Sequence, residues 1–363
     1  MSLSSQTKIL FILLGRYPTE KAYGVTTKHT LSSLADLGID TKLYSFPDWI
    51  LVLLKRIGVP SSLQFRITQV MFAMQVFLRS NLLDFDRKVV WTRHLSIAFL
   101  CSFIPRRIFV IEVHQPLTLF SKSLLFLMGS RRVHFFPISE YLRELLSTAS
   151  RQPGRAVTLL PMAVPQGFLE FPIERNPRPK ELEIAFVGRF ESVGRTQGVS
   201  EFVKLVLTLN GKHVKKLLLI GIGKNGKKSL DPILNQIQST TCFVEIVEDC
   251  LHNEIPRLTA KADLFVIPYP EGDFFASRFP LKAIEYMALR RPILATRTRG
   301  NVAIFGEQRA VYYDLGNQSS LVAALEYVLN QETEISRMVK NNFEIAKTQN
   351  YHERVLTVLH NLS

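Results

Sequence analysis

Cysteine is scarce in this chain, with Cys101, Cys242 and Cys250 the three among 363 residues. An odd count without paired ligand spacing argues against a disulfide framework and against a cysteine zinc site, and fits a reducing, cytoplasmic setting. Long hydrophobic runs are missing as well. No uninterrupted apolar stretch reaches about 18 residues, so no membrane-spanning helix is expected. The opening MSLSSQTKILFILLG has no basic start, long apolar run and small-residue cleavage site, and is expected to lead straight into a strand. The spaced-glycine fingerprint of dinucleotide folds is absent. So are recognised nucleic-acid motifs, and no nucleic-acid partner is expected.

What is present is a basic, apolar-rich chain. Lys+Arg number 45 against 31 Asp+Glu, giving +14, and 47% of residues are hydrophobic. That composition excludes disorder, and the length suits two domains with separate cores. The charge is uneven. Residues 1–165 hold 20 Lys+Arg and 9 Asp+Glu, or +11, while the remainder holds 25 and 22, or +3. A basic first half implies an anionic partner: a lipid surface, a phosphorylated substrate or nucleic acid.

The first half reads as strands alternating with helices. Lys8–Leu14 is a buried-strand run, followed by a loop to Gly24 and an amphipathic helix from Thr26 to Gly38. Gly24 either lets a ligand approach the backbone or is a turn glycine. Trp49–Leu83 interleaves large apolar residues with Lys55, Arg56, Arg66 and Arg79. It reads as two helices, lying either on a membrane interface or against a core. Val89–Trp91 and Arg107–Val113 are further strands. His114 follows the second of them, where open α/β sheets bind ligands, and could donate a hydrogen bond to substrate or be structural. Ser139 is placed to cap a helix over Glu140–Leu146. Phe171–Lys180 reads as a linker.

The second half centres on Phe265–Thr296, FVIPYPEGDFFASRFPLKAIEYMALRRPILAT. It reads as strand, loop, helix and strand, with Pro280 at the helix start. Lys282 and Glu285 project from neighbouring positions of the first turns. A helix start with a lysine suits an anion, and a glutamate suits sugar hydroxyls, although a solvated pair in a βαβ unit has the same pattern. Upstream, Leu182–Val187 leads into Gly188-Arg189-Phe190. Arg189, Arg195 and the helix after Gln197-Gly198 form a second anion-binding candidate, and Lys216–Ile220 leads to Gly221 and Gly223. A helix is expected over Pro232–Gln238. This alternation is a second doubly wound sheet, in an α/β fold class.

In this order the motifs resemble the GT-B glycosyltransferases, specifically glycosyltransferase family 4. VGRF, QGV, the glycine pair and FPLKAIEYMALRRPILAT carry the likeness most strongly, and FFPISEYL and VTLLPMAV are similar to the family's junction. The resemblance implies two Rossmann-like domains facing across a cleft. Residues 1–165 would bind the acceptor, 166–345 the nucleotide-diphosphate sugar, and 346–363 would cross back as a helix. By the same resemblance Arg189, Lys282 and the N–H groups around Phe279, Pro280 and Leu281, those of Phe279 and Leu281, would hold the diphosphate, with Gly188, Arg195, Gly221 and Gly223 also at the donor. Glu285 would grip the ribose, Gly24 would lie near the donor phosphate, and His114 would contact the transferred sugar. Transfer would proceed with retention, without metal or other cofactor, to a lipid-linked or cell-envelope glycan. The chain departs from the family pattern at three places. Ser277 stands eight positions before Glu285 in place of a glutamate, Gln197 in place of a lysine, and Arg291 in place of a glycine. Ser277 and Gln197 leave a second reading open, a non-catalytic GT-B subunit that binds a sugar nucleotide or a partner enzyme.

Overall fold

A computed structural model describes residues 7–13, 17–19, 21–45, 48–84, 86–128, 132–146, 155–172, 179–192, 194–236 and 241–362. The chain divides into one unit of Met1–Pro161 with Tyr351–Ser363 and a second of Met162–Asn350. Most of the expected linker, residues 173–178, lies outside the described residues, as do the side chains of Trp49 and Arg66.

The first unit is built on six parallel strands: β1 (Lys8–Ile12), β2 (Asp40–Tyr44), β3 (Val89–Thr92), β4 (Ile108–Val113), β5 (Arg132–Pro137) and β6 (Arg155–Val157). Their order is β2-β1-β3-β4-β5-β6, with Ile9 opposite Val89 and Val90 opposite Phe109. The central strands are near-continuous apolar runs because helices cover both of their faces. The core joins Ile9, Phe11, Trp91, Val110 and Phe136 to Val355, Val358 and Leu359. Those last three come from the helix Tyr351–His360, so the end of the chain completes the core of its beginning.

The second unit contains β7 (Leu182–Val187), a small hairpin of β8 (Glu191–Ser192) and β9 (Arg195–Thr196), then β10 (Val214–Ile220), β11 (Phe243–Val247), β12 (Leu264–Ile267), β13 (Ile293–Thr296) and β14 (Val311–Tyr313). The main sheet is parallel, in the order β11-β10-β7-β12-β13-β14. This is the doubly wound Rossmann order, with its reversal between β7 and β12. Both units are thus α/β with doubly wound sheets, as expected.

Two helices begin elsewhere than the sequence pattern indicates. The first spans Ala22–Asp36, so Gly24 lies in its first turn and not in the preceding loop. Its N-cap residue, Lys21, offers no side-chain cap, which removes the usual start signal. The second spans Gly223–Gln236 and contains Pro232 in its interior, whereas a helix starting at Pro232 was expected.

Candidate functional site

In the second unit the strand order reverses between β7 and β12, and the C-terminal ends of the strands at such a reversal are the usual ligand position in these sheets. The loops there hold most of the residues singled out above. Lys282 comes from the helix Leu281–Ala288, whose N-cap is Pro280. It is only 8% exposed, and its Nζ donates to Gln197 Oε1 at 3.0 Å. The ammonium also lies 4.0 Å from the ring centre of Phe186 and 5.3 Å from that of Tyr269. Burial pushes its pKa down to about 7, with the charge of Glu285 opposing. Gly188 makes the arrangement possible. A Cβ there would sit 2.6 Å from Lys282 Nζ, and the backbone has φ +139. Gln197, in the place of a family lysine, therefore contributes an acceptor that orients the neighbouring ammonium.

Arg189 is exposed and pairs with Asp249 Oδ1 at 2.8 Å. Its guanidinium reaches to 3.1 Å from where a Cβ of Gly223 would be, and Gly221 packs beside the backbone of Gly188. These three loops therefore meet. Arg195 lies on the short hairpin with its guanidinium 5.1 Å from the ring centre of Phe274, which Arg278 approaches to 4.0 Å. Phe279, Pro280 and Leu281 precede or open the lysine-bearing helix, where free N–H groups gather. Ser277 is buried and its hydroxyl donates to the Phe274 carbonyl at 3.1 Å. Together the loops can hold an anion between two cations and a helix start, with a carboxylate one turn further on.

That carboxylate has a partner the sequence did not indicate. Glu285 is 3% exposed, and His252 Nε2 lies 2.5 Å from its Oε1. The His252 ring lies tilted against that of Phe168, with centres 5.0 Å apart. His252 sits in a 3₁₀ turn, His252–Glu254, where nothing periodic marks it. Tyr286 was also missed. Its hydroxyl accepts from Val187 N–H at 2.8 Å and its ring stacks on Phe265 at 4.1 Å, fixing the helix to β7 and β12.

His114 and Gly24 belong to the first unit. Gly24 faces Thr19, whose carbonyl oxygen would lie 2.2 Å from an added Cβ. At the ends of β3 and β4, buried Glu112 gathers a polar cluster. It accepts from Trp91 Nε1 at 2.9 Å and from the two terminal guanidinium nitrogens of Arg354 at 3.1 and 3.2 Å. Arg93 Nε approaches it to 3.3 Å and His114 Nε2 to 3.0 Å. Burial would raise the Glu112 pKa, but Arg354 and Arg93 overrule it and hold the carboxyl well below the usual range. Burial and Arg93 push His114 down to about 4, so it is neutral at neutral pH. An ionised carboxylate cannot donate, so the N–H of His114 is committed to Glu112 and its other nitrogen is an acceptor.

Residues 181–331 match the family described as Glycosyl transferases group 1. No curated protein matches the chain. Among solved structures, sucrose-phosphate synthase from Thermosynechococcus elongatus is 13% identical, with 98% of each chain covered and a TM-score of 0.73. A glycosyltransferase from Rickettsia africae is 13% identical, with 98% of this chain and 97% of that one covered and a TM-score of 0.71. HepE of Anabaena, solved with UDP and glucose, is 13% identical over 98% and 99% of the two chains, with a TM-score of 0.65. At these identities the likeness shows the fold.

Proposed function

We propose that this chain is a glycosyltransferase, a reading supported by the match of residues 181–331 to the group 1 glycosyl transferases and by the GT-B fold of its structural neighbours. A sugar moves from a nucleotide-diphosphate sugar, held by the second unit, to a hydroxyl of a lipid-linked or cell-envelope glycan at the inner face of a membrane. The observation that carries the donor assignment is the buried Lys282 ammonium at the sheet reversal, with the buried Glu285 carboxylate on the same helix. A diphosphate brought to Lys282 replaces lost solvation and raises its pKa again, so the cation is present when leaving-group charge develops. Arg189 closes on the other side after leaving Asp249, and the helix start adds partial positive charge. Glu285, braced by His252, accepts from the ribose hydroxyls.

With its charge neutralised in this way, the departing diphosphate can take the acceptor proton on the face it leaves. That gives retention without a protein nucleophile, and Arg189 and Lys282 supply the charge without a metal. HepE, a neighbour of the same fold, has been solved with UDP-glucose, which supports a nucleotide-sugar donor. The membrane location draws on the basic first half of the chain.

A second reading, donor binding without transfer, draws on Ser277. Its hydroxyl is turned to the Phe274 carbonyl where the family pattern has a carboxylate.

The test is a melting-shift screen against UDP, GDP, ADP, CMP and their sugar conjugates. A ligand at about a hundred times its Kd stabilises by about 2.7 kcal/mol. A shift with one nucleotide diphosphate that disappears in Glu285→Ala is the expected result. Folded protein that responds to none of them would refute the donor site, and binding without turnover on any glycan acceptor would favour the second reading.

A further inference from the structure

We propose that the outer face of four successive helices in the first unit docks on an anionic lipid bilayer, apolar side chains entering it and basic ones meeting its phosphates. This deepens the membrane location proposed above and rests on that reading for biological setting, but not on the donor chemistry.

The helix Ser61–Leu82 shows the feature most clearly. One side, Thr68, Phe72, Val76 and Ser80, is buried at four-residue spacing. A helix covering a core on one side ordinarily turns polar groups outward on the other. Here Leu63, Val70, Met74, Phe77 and Leu82 face out instead, Val70 being 61% and Leu82 68% exposed. The neighbouring helices continue the pattern. Asp48–Arg56 packs on this helix, Leu95–Cys101 packs on it too, and Leu119–Leu127 packs on Leu95–Cys101. Phe103 sets its edge against Phe77 with ring centres 5.3 Å apart, so the apolar area is continuous between two of them. On the last helix Leu119 is 83%, Phe120 67% and Phe126 74% exposed. An apolar area of this extent on a soluble protein marks an interaction surface.

Charge selects the occupant. Residues 49–139 contain 12 Lys+Arg and 3 Asp+Glu, and of the bases Arg107 is buried, Arg93 faces Glu112 and Arg87 pairs with Asp40, so these three do not belong to the outer face. None of the three acids offsets the outer face. Glu112 and Asp84 are buried, the latter beside Lys42, and Asp86 pairs with Lys8. Apart from Asp48 the four helices carry no acid at all, while Lys55, Arg56, Arg79 and Lys122 on them are exposed. Apolar side chains interleaved with unopposed bases fit the headgroup boundary of an anionic membrane. A second copy of the chain would set base against base.

The experiment is sedimentation of the full chain with phosphatidylcholine vesicles and with mixed phosphatidylcholine–phosphatidylglycerol vesicles, at low and high salt. Binding to the mixed vesicles is expected, reduced at high salt but not abolished, with little binding to phosphatidylcholine alone. Lys55→Glu with Arg56→Glu should weaken it by about fivefold or more per residue. Phe120→Ser with Phe126→Ser should remove the salt-resistant part. Both variants change exposed residues, and their melting temperatures confirm folding. Failure of folded wild-type protein to sediment with mixed vesicles would overturn the proposal, as would binding unchanged in both variants. Lipid-free self-association that Phe120→Ser with Phe126→Ser abolishes would also overturn it, assigning the face to a second copy. The nucleotide melting shift is read on the same samples. Vesicle binding without a nucleotide shift leaves this proposal standing and sinks the donor assignment, and the reverse pattern does the opposite.

Discussion

Lys282 places a cation in a nearly dry setting, against two aromatic rings, with one neutral acceptor, Gln197. A buried ammonium in that setting is easily neutralised, and its pKa of about 7 makes the consequence measurable. The unfolded chain keeps this lysine charged up to its ordinary value, 10.5. In the folded protein it is charged below about 7 and neutral above. Donor binding that uses the cation is therefore strongest below that pH and weakens as pH rises through it, by at most about tenfold per unit. The sugar conjugate of the nucleotide diphosphate selected by the melting-shift screen is a suitable probe because its diphosphate does not titrate in this range. The expected outcome is an affinity for that conjugate that falls between pH 6 and 8 in the wild type and is weak and flat in Lys282→Met, measured by titration calorimetry. A pH slope that survives in Lys282→Met would assign the titration to another group. The lysine and its glutamate were legible in the sequence because both sit just after Pro280 in a strand–loop–helix pattern. His252 was not, because its contact with Glu285 spans 33 positions and is made by the fold alone.

Among the elements, strands were the easiest to read, because β1, β4, β7 and β12 are buried on both faces and so are unbroken apolar runs. Helix starts were harder. Gly223–Gln236 begins with glycines and contains Pro232, and its helical state depends on packing, since a Cβ on Gly226 would come 2.6 Å from that of Phe190. The helix Tyr351–His360 has the clearest energetic role. It carries Arg354, which meets the fully buried Glu112 with two hydrogen bonds. Removing one partner of such a pair leaves a buried charge undercompensated, so Arg354→Met should destabilise the first unit by about 3 kcal/mol, Arg93 limiting the loss. The sign with pH follows from the carboxyl. Its pKa in the folded protein is well below the ordinary 4.5, so the stability it adds is present above that pH and lost as pH falls below it. In Arg354→Met the carboxyl is less depressed and contributes less. Urea unfolding at pH 7 and pH 4 should therefore show a larger difference between the two proteins at pH 7.

For the whole molecule, the segregation of charge was visible in the sequence, but the discontinuity of the first unit was indicated only by resemblance. Its core takes Val355, Val358 and Leu359 from the end of the chain, while the second unit is one continuous segment, Met162–Asn350. The Tyr351 ring stacks on His29 at 5.0 Å, and the Arg354 side chain also donates to the Pro161 carbonyl. Ending the chain after Asn350 would remove these contacts together, expose the apolar faces of β1 and β3, and leave Glu112 without Arg354. The second unit would lose nothing from its own core, which is drawn from Leu182 to Val339. Calorimetry of the truncated chain is therefore expected to keep one cooperative transition belonging to the second unit and to lose the one belonging to the first. Proteolysis should correspondingly digest residues before Pro161 and spare a fragment beginning near Met162. By the donor reading Arg189, Lys282 and Glu285 all lie in that fragment, so the surviving transition should still move upward with the nucleotide diphosphate that moves the full-length protein. If truncation left both transitions intact, the terminal helix would be an accessory to the first unit. If it abolished both, the two units would fold as a single cooperative block.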